Sequence, residues 1–102
     1  MTRPDVDRIA LSRLSALAHD GGLSILRTLL ASYPASIPAG QLASLHAISA
    51  NALSFHLKEM AHAGLVVSER DGRFILYRAE PDALAELTQF LEALQQVVSV
   101  EG

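Results

Sequence analysis

The segment from Ser36 to Arg78 constrains the fold of this chain more than any other part of it. Its residue pattern indicates a short helix, a tight turn, a second amphipathic helix, and two β-prone runs separated by Asp71-Gly72. Asp-Gly is a preferred two-residue hairpin turn when both central positions have a positive φ. This order predicts a winged helix-turn-helix, a fold whose second helix is shaped to enter the DNA major groove.

Three further helices are expected outside this segment. The first runs from about residue 7 to 19, the second from about 23 to 33, and the last from about 81 to 98. The run Asp20-Gly21-Gly22 is expected to interrupt the helical pattern between the first two helices, and Pro34 follows the end of the second helix.

The two helices inside the segment have recognisable boundary signals. Ser36 is the expected N-cap of the third helix, with Pro38 in its first turn, where a missing N–H does no harm. Ser49 is the expected N-cap of the fourth helix and Gly64 its C′ residue. The fourth helix, the candidate DNA reader, therefore covers about residues 49–63.

The 102 residues are expected to form a single domain, mainly α with a β-hairpin wing at about residues 66–79 (α+β), with five helices in all. Half of the residues are hydrophobic, and small helical domains often cover surplus apolar surface with a second copy. The last helix carries leucines three and four residues apart, a seam too short for a free-standing coiled coil. We therefore expect a homodimer through the first and last helices. The candidate interface residues are Ile9, Leu14, Leu84, Leu87, Leu91 and Leu94.

Composition narrows the classes of function. The chain has no cysteine, which removes disulfides, thiolate metal sites and thiol redox switching. No apolar run is long enough to span a membrane, and no signal segment stands at the N-terminus, so the expected location is the cytoplasm. We find no Gly-rich phosphate loop, metal triad or Ser/His/Asp arrangement. The expectation is a protein that is not an enzyme and needs no cofactor.

The charges are few and unevenly distributed. The net charge is −3, and no Lys or Arg follows Glu80. Three of the eight basic residues, Arg70, Arg73 and Arg78, lie in the expected hairpin, and Lys58 lies in the helix before it. An acidic pole and a modestly basic pole allow one face to meet phosphate. Because the basic face has few cations, few phosphate contacts are expected. Arg78 is expected to be structural.

The fourth helix divides into an inward and an outward face. With Leu53 inward and 100° per residue, Leu57, Met60 and Ala61 fall on its side. Phe55 falls on the outward face, where it can contact a thymine methyl group; the alternative is packing under the hairpin or against the first helix. The candidate DNA-binding residues are Ser49, Asn51, Ser54, Phe55, His56 and Lys58, together with Arg70 and Arg73 of the wing.

The runs Leu53-Ser54-Phe55-His56-Leu57-Lys58-Glu59-Met60, Ala63-Gly64-Leu65-Val66 and Asp71-Gly72-Arg73 to Tyr77 resemble the ArsR/SmtB family of small bacterial repressors. The resemblance implies a homodimer of five helices and a wing that binds an inverted-repeat operator and leaves it when an inducer binds. It also implies that Ser54 and its neighbours contact DNA. The chain departs from the family at Phe55, where many members carry His. At Ala47, where Gly often closes the turn, a positive φ would cost about 1 kcal/mol.

The inducer sites of that family do not carry over. Pro38-Ala39-Gly40 and Gln95-Gln96 stand where its arsenite-sensing members place cysteines, and the last helix has Asp82 but no His for a zinc- or nickel-type site. No metal ligands are assigned, because the four histidines lie on different helices or six residues apart.

The leading hypothesis is a repressor that binds double-stranded DNA at an imperfect palindrome. Its signal is a small organic inducer, a partner protein, or no ligand at all. The alternatives are a winged-helix module that binds protein and a histidine-based metal sensor.

Overall fold

The computed structural model describes the backbone of residues 3–101 and the side chains of residues 5–98. Its helices are α1 (Arg3–Leu17), α2 (Asp20–Ser32), α3 (Ala39–His46), α4 (Ala50–His62) and α5 (Pro81–Glu101), and its strands are β1 (Ile37–Pro38), β2 (Val66–Asp71) and β3 (Phe74–Ala79). The strands form an antiparallel sheet in the order β1-β3-β2. The expected fold class, five helices with a hairpin wing, is confirmed. Within residues 3–101, no helix is both long and apolar enough to cross a bilayer.

The core forms where α2, α3 and α4 meet the base of the sheet. Leu53, Leu57 and Met60 of α4 are buried as expected, which fixes the direction of its outward face. Ala61 was expected inside but is exposed, and Leu45 of α3 is exposed as well, by 59%. Both residues lie at the edge of the buried face of their helix. Because α3 has only eight residues, it meets the core through a single buried side chain.

The Gly21-Gly22 pair does not separate the first two helices. It lies in the first turn of α2, which begins three residues earlier than expected. Gly22 is buried, and a Cβ atom placed on it would lie 2.7 Å from the carbonyl oxygen of Ala16. The small residue is needed for the close approach of α1 and α2. The turn between the two helices is shorter than the sequence indicated, at Ala18 and His19.

The segment before α3 is a strand where the sequence suggested a helix start. Ile37 and Pro38 form β1, paired with Tyr77 and Leu76 of β3, and α3 begins at Ala39 with Pro38 as its N-cap residue. Ser36 is therefore not an N-cap. Its hydroxyl donates to the Glu69 carboxylate at 2.9 Å, which ties this segment to the wing.

The wing turn lies one residue later than predicted. Asp71 pairs with Phe74, so the two central residues are Gly72 and Arg73. Of these only Gly72 has a positive φ, +61°. One positive φ at the first central position is the pattern of a type II′ turn, whereas the type I′ turn assumed from Asp-Gly needs two.

The turn before α4 and its two ends follow the sequence signals. The Ser49 hydroxyl accepts a hydrogen bond from the backbone N–H of Ala52 at 3.1 Å, which caps the helix. Ala47 adopts the left-handed conformation, with φ 52° and ψ 42°. Gly64 follows the helix with φ +78°, and the N–H of Leu65 bonds back to the Met60 carbonyl at 2.9 Å. The α3–turn–α4 unit is thus fixed at both ends of α4.

Candidate nucleic-acid interface

The outward face of α4 is polar except for one aromatic ring. Asn51, Ser54, Phe55 and Lys58 are all exposed on it, as the helical spacing predicted. These four side chains line one side of a groove of about 610 Å³, and Ser68 and Tyr77 of the wing line the other. Donors, acceptors and an apolar edge on an exposed helix face are the groups that hydrogen-bond and pack against base edges.

Ser49 has two roles available to one hydroxyl group. Its oxygen accepts the capping bond from Ala52, and the side chain is exposed at the start of α4. A serine hydroxyl retains one O–H donor when its oxygen accepts. The N-cap can therefore hold the helix and donate outward at the same time.

Three cations on α4 and the wing differ from most of the other cations whose side chains are described. The ion pairs among side chains 5–98 are Arg8–Asp5 at 3.2 Å, Arg13–Glu86 at 2.7 Å and Arg78–Glu80 at 3.2 Å. Lys58, Arg70 and Arg73 are exposed and have no carboxylate partner among these residues, a property shared with Arg27 of α2. No ion pair has to break before these three cations meet a phosphate group.

The wing places Arg70 on the face opposite its two acids, whereas Arg78, the cross-strand partner of Val67, shares the face of the acids. Glu69 and Asp71 flank Arg70 along β2, and successive strand residues point to opposite faces. Arg70 thus lies on one face of the hairpin and the two acids on the other. Arg73 is at the tip, in the turn itself. One face of the wing is positive despite the overall charge of −3.

Phe55 belongs to a cluster of three rings that the sequence did not reveal. Its centroid lies 5.5 Å from that of His56 and 6.4 Å from that of His19, both in edge-on geometry. The ring remains 54% exposed, so much of its surface stays open beyond these two ring contacts. His19, the N-cap residue of α2, supports one side of an apolar group that stands on the outward face.

His56 is turned away from that face. A Cβ on Gly21 would lie 2.7 Å from its Nε2 atom, and one on Gly22 would lie 3.6 Å from its Nδ1 atom. The ring is half-buried against the start of α2, so its contacts are within the protein. Two adjacent glycines were the available signal, because the smallest residues leave room for a ring.

The other histidines are placed singly. His46 Nε2 lies 2.9 Å from the Thr28 hydroxyl and links α3 to α2, and His62 is exposed at the end of α4. Across the part of the chain that is described, no three His, Asp or Glu side chains converge as a metal site would require. The two linked helices gain a polar contact next to the core.

The candidate dimer residues divide into two groups. Ile9, Leu14, Leu91 and Leu94 are between 36% and 54% exposed, so apolar surface remains for a partner. Leu87 was placed in the interface from its spacing, but it is 5% exposed and packs inside its own protomer. Leu84 is half-buried. The helical spacing put both kinds of residue on one seam, because α5 must also cover α1.

Comparisons with known proteins agree with this geometry. A family model described as a helix-turn-helix domain matches residues 14–69. The chain is 39% identical over 75 residues to the HTH-type transcriptional regulator YgaV of Escherichia coli (strain K12). The aligned region covers 74% of each protein.

Solved structures extend the likeness to the whole fold. An ArsR-like transcriptional regulator from Rhodococcus sp. RHA1 is 29% identical, with a TM-score of 0.81, and the match covers 92% of this chain and 86% of that one. A homodimeric winged helix-turn-helix DNA-binding domain from Mycobacterium bovis, a possible ArsR-family regulator, has a TM-score of 0.73 at 24% identity over 97% of this chain and 85% of that one, which shows the fold alone.

These relatives are regulators of transcription and not enzymes. The chain belongs to the ArsR family of winged helix-turn-helix transcriptional regulators, and it has none of the cysteines that form the metalloid site of that family.

Proposed function

We propose that this regulator is a homodimeric repressor that binds an imperfect inverted repeat and responds to a signal other than a thiol-bound metalloid. In this proposal α4 enters the major groove. Asn51, Ser54 and Phe55 meet base edges there, while Ser49 and Lys58 contact phosphate groups. The hairpin lies along the neighbouring backbone with Arg70 and Arg73.

The observation that carries the proposal is the coincidence of two properties on one surface. The outward face of α4 is exposed and mainly polar, and Lys58 on that face and Arg70 and Arg73 on the wing have no carboxylate partner within the described side chains. A surface of this kind attracts phosphate and leaves the helix free to contact bases. With so few cations, each protomer makes few phosphate contacts, and affinity depends on two protomers acting together.

The dimer part of the proposal rests on apolar surface and on a neighbour. Leu91 and Leu94 on α5 are 45% and 54% exposed, and Ile9 on α1 is 38% exposed. The Mycobacterium bovis domain of the same fold is described as homodimeric. A symmetric dimer that reads successive turns of B-DNA presents its two α4 helices about 34–36 Å apart, which matches an inverted repeat.

The signal follows from the chemistry the chain lacks. With no cysteine in the sequence, no thiolate is available to bind a soft metalloid or to be oxidised. We propose a small organic molecule or a partner protein as the signal, or constitutive binding without one.

The first test is binding to a labelled DNA fragment from upstream of the protein's own gene. The purified protein is titrated at several salt concentrations, with and without EDTA. We expect nanomolar affinity that falls steeply with salt and does not change with EDTA. Fragments from elsewhere in the same genome, at equal length, measure non-specific binding.

The second test assigns binding to α4. The double variant Ser54→Ala/Lys58→Ala is expected to lose about 10- to 100-fold in operator affinity, through one base-edge and one phosphate contact. The matched control Arg8→Ala/Ser15→Ala removes the same two kinds of side chain from α1 and should bind normally. Full affinity in the first variant would contradict the proposed role of α4.

Two other results would redirect the assignment. Absence of DNA binding at low salt, together with salt-independent capture of a protein partner, would favour a protein-interaction module built around exposed Phe55. Affinity that changes on chelation would favour a metal sensor that uses the histidines.

A further inference from the structure

Arg13 makes three side-chain hydrogen bonds outside the proposed DNA surface. Its Nε–H donates to the carbonyl of Ala63 at 2.9 Å, and one terminal nitrogen donates to the carbonyl of Ala83 at 3.3 Å and to the Glu86 carboxylate at 2.7 Å. The side chain is 12% exposed, whereas Glu86 is 67% exposed. A nearly buried arginine therefore holds three acceptors from two other helices.

These acceptors belong to the C-terminal end of α4 and to the start of α5. Ala63 is the C-cap residue of α4, and Ala83 and Glu86 are in the first turns of α5. Arg13 itself is near the end of α1. One guanidinium group thus joins the helix proposed to read DNA to both helices proposed to form the dimer.

The bonds fit the chemistry of a helix end. The last carbonyl groups of a helix have no partner within it, and a cation near them is favoured by the helix dipole. The Ala63 carbonyl receives both a donor and a positive charge from Arg13. A planar guanidinium offers several donors in fixed directions, which a flexible ammonium does not.

Two surface grooves lie beside Arg13. One, of about 340 Å³, is lined by Arg8, Ser12 and His62 among others. The other, of about 400 Å³, lies between α1 and α5 and is lined by Val6 and Phe90. The three hydrogen bonds of Arg13 therefore add directional links between α4 and the α1/α5 pair to the apolar packing of these helices.

We propose that Arg13 is a positioning residue that sets the orientation of α4 relative to α1 and α5, and so sets the spacing of the two α4 helices in the dimer. The inference rests on the proposed dimeric DNA binding. It adds that the preferred half-site spacing is determined by a residue that touches no DNA.

The first experiment measures the spacing without DNA. The chain has no cysteine, so Glu59→Cys, an exposed position on α4, places one spin label on each protomer. The distance distribution between the two labels is measured by pulsed electron spin resonance. We expect a narrow distribution for unaltered Arg13 and a broadened, shifted one for Arg13→Met, which keeps an aliphatic stem of similar length and loses every donor.

The second experiment measures the spacing with DNA. Inserting one base pair between the half-sites rotates one against the other by about 35°. The protein with Arg13 should lose about 10- to 100-fold in affinity for the altered operator. Arg13→Met should bind the natural operator more weakly and lose no more than about threefold on insertion, because its α4 helices are no longer fixed.

Two further variants keep the result interpretable. Arg13→Lys retains the charge but not the planar donor set, so we expect values between those of Arg and Met in both experiments. If Arg13→Met does not fold, the Lys variant carries the same test with a smaller change in the same direction. Arg8→Ala, which removes an exposed arginine of the same helix, should match the unaltered protein.

The outcomes separate the two proposals. A folded, dimeric Arg13→Met protein with an unchanged label distribution and unchanged spacing preference would overturn the role of Arg13. A broadened distribution in a protein that binds no DNA would support that role and defeat the proposed function. A protein that sediments as a monomer with Arg13 intact would overturn both.

Discussion

The carbonyl oxygen of Ala16 lies 2.7 Å from the position that a Cβ atom on Gly22 would occupy. Because that atom is backbone, it cannot rotate away, and either α1 or α2 would have to shift. We expect Gly22→Ala to lower the free energy of unfolding by about 1–3 kcal/mol, the usual range for overpacking. Chemical denaturation followed by circular dichroism measures the difference.

Gly40 provides the matched control for that substitution. It also lies in the first turn of a helix, but a Cβ there would meet nothing within 4 Å. Gly40→Ala should therefore leave stability unchanged or raise it by up to about 1 kcal/mol, through helix propensity. Equal effects at the two positions would contradict a close approach of the helices at Gly22.

Ala47 holds the tight turn between α3 and α4 in a conformation that alanine disfavours. Its φ of 52° and ψ of 42° are left-handed. Ala47→Gly relieves that strain, whereas the greater entropy of glycine in the unfolded chain opposes part of the gain. The net result should be a rise of about 0.5–1 kcal/mol in the free energy of unfolding. Ala61→Gly, at an exposed position inside α4, should instead lower it by about 1 kcal/mol. A thermal unfolding series that shows losses at both positions would contradict the strain at Ala47.

Ser49 is expected to matter for both stability and binding. Ser49→Ala removes the bond to the Ala52 N–H and should cost about 1 kcal/mol, with fraying concentrated in the first turn of α4. Operator affinity should fall as well, since Asn51 lies in that turn. Amide hydrogen exchange localises the fraying. The control Ser15→Ala, at an exposed serine within α1, should change neither stability nor operator affinity. Unchanged amide exchange at Ala52 in the Ser49→Ala variant would show that the cap does not hold α4.

The apolar surface of α5 should control assembly. Leu91→Asp/Leu94→Asp places charges on two exposed side chains, so the protomer should stay folded while the dimer dissociates. Sedimentation measures the change, and Leu45→Asp, on another exposed leucine, should leave the dimer intact. Leu87 is unsuitable for this test because it is buried within the protomer, where a charge would damage the fold itself. An intact Leu91→Asp/Leu94→Asp dimer would exclude this surface as the interface.

The wing arginines should contribute to the salt dependence of binding. Arg70→Ala and Arg73→Ala should each reduce the slope of log affinity against log salt by about one, with little change in sequence preference. Operator titrations at four salt concentrations give the slope. Arg8→Ala, whose side chain already pairs with Asp5, should not alter it, and wing variants that keep the full slope would place the hairpin away from the phosphates.

Local sequence determined the five helices, the presence of the hairpin and the outward face of α4. The Ser49 cap, the Gly64 stop and the spacing of Leu53, Leu57 and Met60 act over one or two helical turns, so residue order alone carries them. The presence of a hairpin was also local, but its register and its turn type were not. The pairing of Asp71 with Phe74 moved the turn by one residue from the position that Asp-Gly suggested.

Tertiary structure decided the features that need a distant partner. Ser36 lost its expected capping role because Ile37 and Pro38 pair with β3, about 40 residues further along the chain. The glycines before Leu23 resembled a break because nothing local shows that α1 and the ring of His56 approach them. Residue type alone did not single out Arg13, whose role depends on carbonyl groups 50 and 70 residues away. Sequence periodicity reports which side of a helix is apolar, whereas the identity of the group packed against it is set by the arrangement of the whole chain.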